Sequence, residues 1–147
     1  MPFTFRLEPL ISIRNSVLKE KQASLAQAFE WMRIIEEERL RLEQDIASNM
    51  QSAREMLHSG KIDANFLLGV QRLDAFLSPQ LEKARLAIVL HEEEIERRRQ
   101  AVLEANKDLK IIEKLKEREY EKYLVDERRK ETIEMDEIAG RRKVMDN

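Results

Sequence analysis

The stretch PLISIRNSVLKEKQASLAQAFEWMRIIEEERLRLEQDIASNMQSAREMLH, residues 9–58, decides the fold. After Pro9 it holds neither proline nor glycine, and its apolar side chains recur at alternating spacings of three and four, the period of one face of an α-helix. Ile11, Arg14, Leu18, Lys21, Leu25, Ala28, Met32, Ile35, Arg39, Leu42, Ile46, Asn49, Ala53 and Met56 occupy heptad a and d positions, and ten of these fourteen are apolar. The pattern predicts one helix over about 9–58. Pro9 suits its first turn, where a missing N–H has no helical partner to lose.

Working outward, the sequence HSGKIDANF at 58–66 carries turn chemistry. Gly60 reads as a helix C-cap and Asp63 as the N-cap of a new helix. Residues 64–77, with Phe66, Leu67, Val70, Leu73, Phe76 and Leu77, predict a short amphipathic helix ending at Ser78-Pro79, since proline disfavours helical continuation. A second long helix follows over about 80–139, with a tail at 140–147. Leu81, Ala84, Ile88, His91, Ile95, Arg98, Val102, Ala105, Leu109 and Ile112 form its stripe, and beyond Ile112 the apolar residues become too sparse for a seam.

The predicted fold is therefore all-α: a single domain built as a long two-helix antiparallel coiled coil with a short connecting helix at one tip. Taking the whole connector as the turn pairs residues whose numbers sum to about 140, with Ala53 near Ile88, Ile35 near Ala105 and Ile11 near Arg129. On that register residues after about 130 overhang the start of the first helix. Charged or amide groups hold four of the fourteen stripe positions on the first helix, so the expected core is thin and its stability partner-dependent.

Composition narrows the function classes. Charged residues are 38% of the 147, against only three glycines and three prolines, a balance that favours exposed helix over compact globule. The net charge of -2 is evenly distributed: 10 basic and 11 acidic residues in 1–79, seven of each in 80–112, and 10 and 11 in 113–147. A nucleic-acid surface draws its affinity from concentrated Lys and Arg, which this pattern lacks. No cysteine is present, which removes thiolate chemistry and disulfides. The N-terminus has charges within its apolar stretch and no cleavage signal, and no window approaches the ~20 apolar residues of a membrane span, so a cytoplasmic location without membrane insertion is expected.

The search for catalytic or metal groups returns little. His91 is followed by three glutamates, but Ile95 stands where a helical zinc site needs its second histidine. His58 falls at a helix end, and the three glycines are too scattered for a phosphate loop. Catalytic residues, metal ligands and cofactors are accordingly none. Arg97–Arg99 read as a solvated face with acidic neighbours one turn away, whereas Arg128–Lys130 and Arg141–Lys143 lie where no internal helix is available to pair with them. The connector carries more apolar residues than one stripe can bury, leaving end-cap core and docking surface as equal readings of it.

Two segments carry a resemblance. FTFRLEPLISIR at 3–14 and MDEIAGRR at 135–142, together with the helix, tip and helix between them, resemble the flagellar export protein FliJ family over the whole length. The resemblance implies a non-enzymatic, cytoplasmic component of type III export, held at the membrane through its partners and supporting flagellum assembly, motility and chemotaxis. It implies a stalk whose terminal end enters the hexameric export ATPase FliI, and whose near-tip region meets the cytoplasmic domain of the gate protein FlhA. FliH and substrate chaperones are further implied partners. Carried onto this chain, the ring-facing candidates are Phe3, Phe5, Leu7, Met135, Asp136, Glu137, Ile138 and Arg141. The gate-facing candidates are Ile46, Met50, Leu73 and Leu77. The alternatives are the stalk protein of a virulence secretion system and a generic dimerising coiled-coil scaffold.

Overall fold

A computed structural model describes residues 2–146. Among them the chain forms two long helices and no strand: α1 over Glu8–Ser59 and α2 over Ala64–Met145. Before α1 the backbone is drawn into its first turn, with the Phe5 carbonyl accepting from the Glu8 N–H at 3.1 Å and the Leu7 carbonyl from Leu10 at 2.9 Å. Pro9 lies in that turn as expected.

The turn between the helices follows its sequence signals. Gly60 has φ 76°, the left-handed conformation that closes a helix C-terminus and that a side chain would strain. Ser59 braces the exit by donating from Oγ to the Met56 carbonyl at 2.7 Å. Asp63 caps the next helix, its Oδ1 accepting from the Asn65 N–H at 3.0 Å.

α2 corrects the expectation at two places. No break occurs at Ser78-Pro79: the predicted short helix and the predicted second helix are one element, with Pro79 inside it. Proline removes only one i→i−4 bond, that of the Ala75 carbonyl, and a helix secured on both sides by burial of Leu77, Leu81 and Ala84 tolerates that loss. Nor does α2 stop near 139. Gly140 is carried through, and Arg142 and Lys143 occupy the last turn, where cations offset the negative end of the helix dipole.

The packing resolves into two compact units. In the unit spanning 21–102, Ala28, Met32 and Ile95 form one buried cluster with Leu25 and Ile88 against it, and Leu42, Leu77, Leu81 and Ala84 form another with Ile46 against it. Partners descend along α2 as they ascend along α1. Ser24 meets Arg98 and Trp31 meets His91, pairs whose numbers each sum to 122. In the other unit, 1–20 with 103–147, Arg14 meets Asp108 at 3.3 Å and Glu8 meets Lys116 at 2.8 Å. The expected sum of about 140 is therefore wrong by nearly five helical turns. Ile88 packs beside Ala28 and Met32, and not beside Ala53. The reason is Pro79: with the helix continuous, the turn is 60–63 alone and the pairing centre moves toward the N-terminus.

The stripes themselves are placed as read. Every predicted stripe position on α2 from Leu81 to Ile112 is buried or half-buried, and on α1 Lys21 alone of the fourteen is exposed. Three of the four polar intruders on α1 have partners: Arg14 pairs with Asp108, Arg39 with Glu43 at 3.1 Å, and Asn49 with a backbone carbonyl.

Candidate functional site

In the unit containing both chain ends, the segment before α1 is held by aromatic side chains. Phe3 stands edge-on to Tyr120 at a centroid distance of 5.2 Å and lies 5.5 Å from Tyr123, with the two tyrosines 6.2 Å apart. Phe5 is buried and Leu7 half-buried. These three ring-facing candidates are therefore largely committed to internal packing, and edge-to-face pairs of this kind add about 0.5–1.5 kcal/mol to the burial they bring.

Past Tyr123 the described residues of α2 are almost all uncovered. Residues 124–146 are exposed apart from Glu127, so the overhang begins several residues earlier than expected. It carries Met135, Ile138, Val144 and Met145, exposed from 54% to 88%, beside Asp136, Glu137 and Arg141. Arg128, Arg129, Lys130, Arg141, Arg142 and Lys143 form no ion pair among the described residues. Met135 lies twelve residues beyond Tyr123, roughly 18 Å along the helix. The structure thus separates the ring-facing candidates into a packed N-terminal set and a free C-terminal set.

The gate-facing candidates fall in the unit spanning 21–102 and divide similarly. Leu77 is 7% exposed inside the cluster with Leu42, Leu81 and Ala84, and Ile46 packs against that cluster. Met50 and Leu73 are exposed. Asn49, next to Met50 in sequence, is buried, its Nδ2 donating to the Val70 carbonyl at 2.9 Å. Two of the four candidates are core, and two are available to a partner.

A cluster that sequence reading did not anticipate lies further along the same unit. Arg98 donates from Nη1 to the Ser24 carbonyl at 2.7 Å and from Nε to Glu94 at 3.0 Å, and its guanidinium sits 5.2 Å over the Trp31 ring. His91 approaches the same indole at 6.0 Å, and its Nε2 is buried with no hydrogen-bond partner. The hydrogen bond from Arg98, reinforced by the charges of Arg97 and Arg98, holds the Glu94 carboxyl below its ordinary range. Glu30 is lowered by the hydrogen bond and charge of Arg33, which is raised in turn. The signal for Arg98 was available in its stripe position: a long cation at a buried a or d site must snorkel to an acceptor. Arg97 and Arg99 pair with Glu94 and Glu96 one turn away, as a solvated face does.

Among the described residues, no group of three or more His, Asp or Glu is placed to hold a metal ion, and no helix is long and apolar enough to cross a membrane. Comparison with known proteins supplies the family. The family model described as flagellar FliJ protein matches residues 3–144, and the chain belongs to that family, a non-enzymatic component of flagellar protein export. No curated protein and no solved structure matches it.

Proposed function

We propose that this FliJ-family chain is an antiparallel coiled-coil stalk that docks into the hexameric export ATPase FliI and links it to the FlhA gate and to substrate chaperones, FliH being a further partner. The observation that carries the docking is the free end of α2, residues 124–146. It combines exposed Met135, Ile138, Val144 and Met145 with four arginines and two lysines that have no ion partner among the described residues. An apolar end with unpaired cations suits a ring lumen that offers apolar walls and carboxylates. Phe3, Phe5 and Leu7 then act by securing the segment before α1, while Met135, Asp136, Glu137, Ile138 and Arg141 make the contacts.

The gate contact falls to Met50 and Leu73, the two exposed members of their set, with Ile46 and Leu77 supporting them from beneath. Work takes place in the cytoplasm, at the membrane through the gate.

Deleting residues 133–147 tests the docking. The shortened chain is expected to keep the helical signal of the remainder and to lose binding to, and stimulation of, the reconstituted ATPase ring. Ring binding at full strength by the truncated chain would sink the assignment.

A further inference from the structure

α2 has a second apolar stripe, on the side away from α1. At about 100° per residue, Leu68, Pro79, Leu86 and Leu90 fall on the face opposite the buried Leu77, Leu81, Ala84 and Ile95, with Phe76 and Val89 at its two edges. All are exposed, the five large side chains other than Pro79 between 47% and 64%. Because Pro79 has no N–H, the Ala75 carbonyl on this face lacks the donor an ordinary helix supplies. Scattered apolar residues on a surface need no explanation, but a stripe repeated over some six turns exceeds that.

The charges along the stripe identify an occupant. Arg72, Glu82, Lys83 and Glu93 lie on the same face, and Arg72, Lys83 and Glu93 form no ion pair among the described residues. The pattern is complementary to itself when reversed. Laid against a second copy running the opposite way, with numbers summing to 165, Arg72 faces Glu93, Glu82 faces Lys83, Phe76 faces Val89, Ala75 faces Leu90 and Pro79 faces Leu86. Within 72–93 each of these cations then meets a carboxylate and each of these apolar groups an apolar group, twice over, as a two-fold axis between 82 and 83 requires, while Leu68 lies beyond that span, level with Arg97. A parallel pairing would instead stack each charge on its own copy.

We propose that two copies of this chain associate through the outer face of α2, residues 72–93, in an antiparallel isologous dimer. The face differs from that of Met50 and Leu73, so the dimer is independent of the gate reading above.

Sedimentation equilibrium of the full chain across a concentration series tests it. The mass is expected to rise from 17.5 kDa toward twice that value. Leu86→Asp with Leu90→Asp should abolish the rise with helix content unchanged, since both residues are exposed. Glu93→Arg should weaken association about tenfold or more by placing like charges together, and adding Arg72→Glu should restore it. The chain has no cysteine, so Lys83→Cys gives one thiol beside the axis, expected to oxidise to a disulfide-linked dimer where Lys61→Cys does not. A single-chain mass up to about 1 mM, the weak end of specific association, overturns the proposal and leaves the stripe to a different protein. A dimer indifferent to Glu93→Arg, or one cross-linked equally from both thiols, overturns the placement.

Discussion

The Asn49 side-chain amide donates to the Val70 main-chain carbonyl at 2.9 Å across the two helices, from a side chain that is only 9% exposed. It is the buried polar group in a stripe otherwise filled by apolar residues near the turn. A single amide at such a position costs stability, because an aliphatic residue would pack there at no desolvation cost, but it fixes which residues face one another. Asn49→Leu is expected to leave the thermal midpoint unchanged or higher while loosening the register between 42–56 and 64–81. Amide resonances from those segments should double or broaden. A single sharp set at a raised midpoint would show that the amide has no role in register.

Arg98 joins three groups, the Ser24 carbonyl, Glu94 and the Trp31 ring, so its replacement removes more than a charge. Arg98→Met should destabilise by about 1–3 kcal/mol, from the charged hydrogen bond to Ser24 and the cation–π contact, and Arg98→Lys should recover little because it lacks the planar fork. The sign of the accompanying pH effect follows from Glu94, whose native carboxyl titrates below its ordinary value of 4.5. A lowered acid stabilises the fold above that ordinary value and loses the contribution as pH falls through the native one. The wild-type midpoint should therefore drop more steeply than that of Arg98→Met on acidification from pH 6 to 3. Carboxyl titration by NMR should find Glu94 higher in the variant, and an unmoved titration would reject the coupling.

How much of this was legible depends on the kind of signal. The two stripes, the Gly60 exit and the Asp63 cap were readable because each rests on neighbours in sequence: the three-four alternation, a left-handed glycine and an Asx cap. The register was not. It depended on whether Pro79 ends a helix, and local chemistry states only what proline costs, whereas burial of Leu77, Leu81 and Ala84 decides whether that cost is met. Site residues suffered the same loss. Leu77 and Leu73 look alike in an apolar run, and only pairing with Leu42 shows that one is core and the other surface.

Pro79 makes this testable. In a continuous exposed helix, Pro79→Ala restores the N–H for the Ala75 carbonyl and relieves the ring clash, a gain of up to about 3 kcal/mol. Were residues 78–80 a turn, the same change would be neutral or destabilising, since alanine frees the unfolded chain. Chemical denaturation at a fixed low protein concentration is expected to show a higher midpoint for Pro79→Ala with an unchanged slope. A lower midpoint would contradict an unbroken α2.

The contrast between Leu73 and Leu77 yields the last prediction. Leu77 is buried among Leu42, Leu81 and Ala84, so Leu77→Ala should cost about 2–5 kcal/mol through lost burial and a residual cavity, and Leu77→Asp more, by stranding a carboxylate there. Any loss of partner binding in those variants would then reflect unfolding. Leu73 is 44% exposed and Met50 51%, so Leu73→Asp with Met50→Asp should shift stability by less than about 1 kcal/mol. If these residues meet the gate, that double variant loses binding to the FlhA cytoplasmic domain at an unchanged melting midpoint. Retained binding with a folded chain would remove Met50 and Leu73 from the interface, because their substitution cannot be excused by damage to the core.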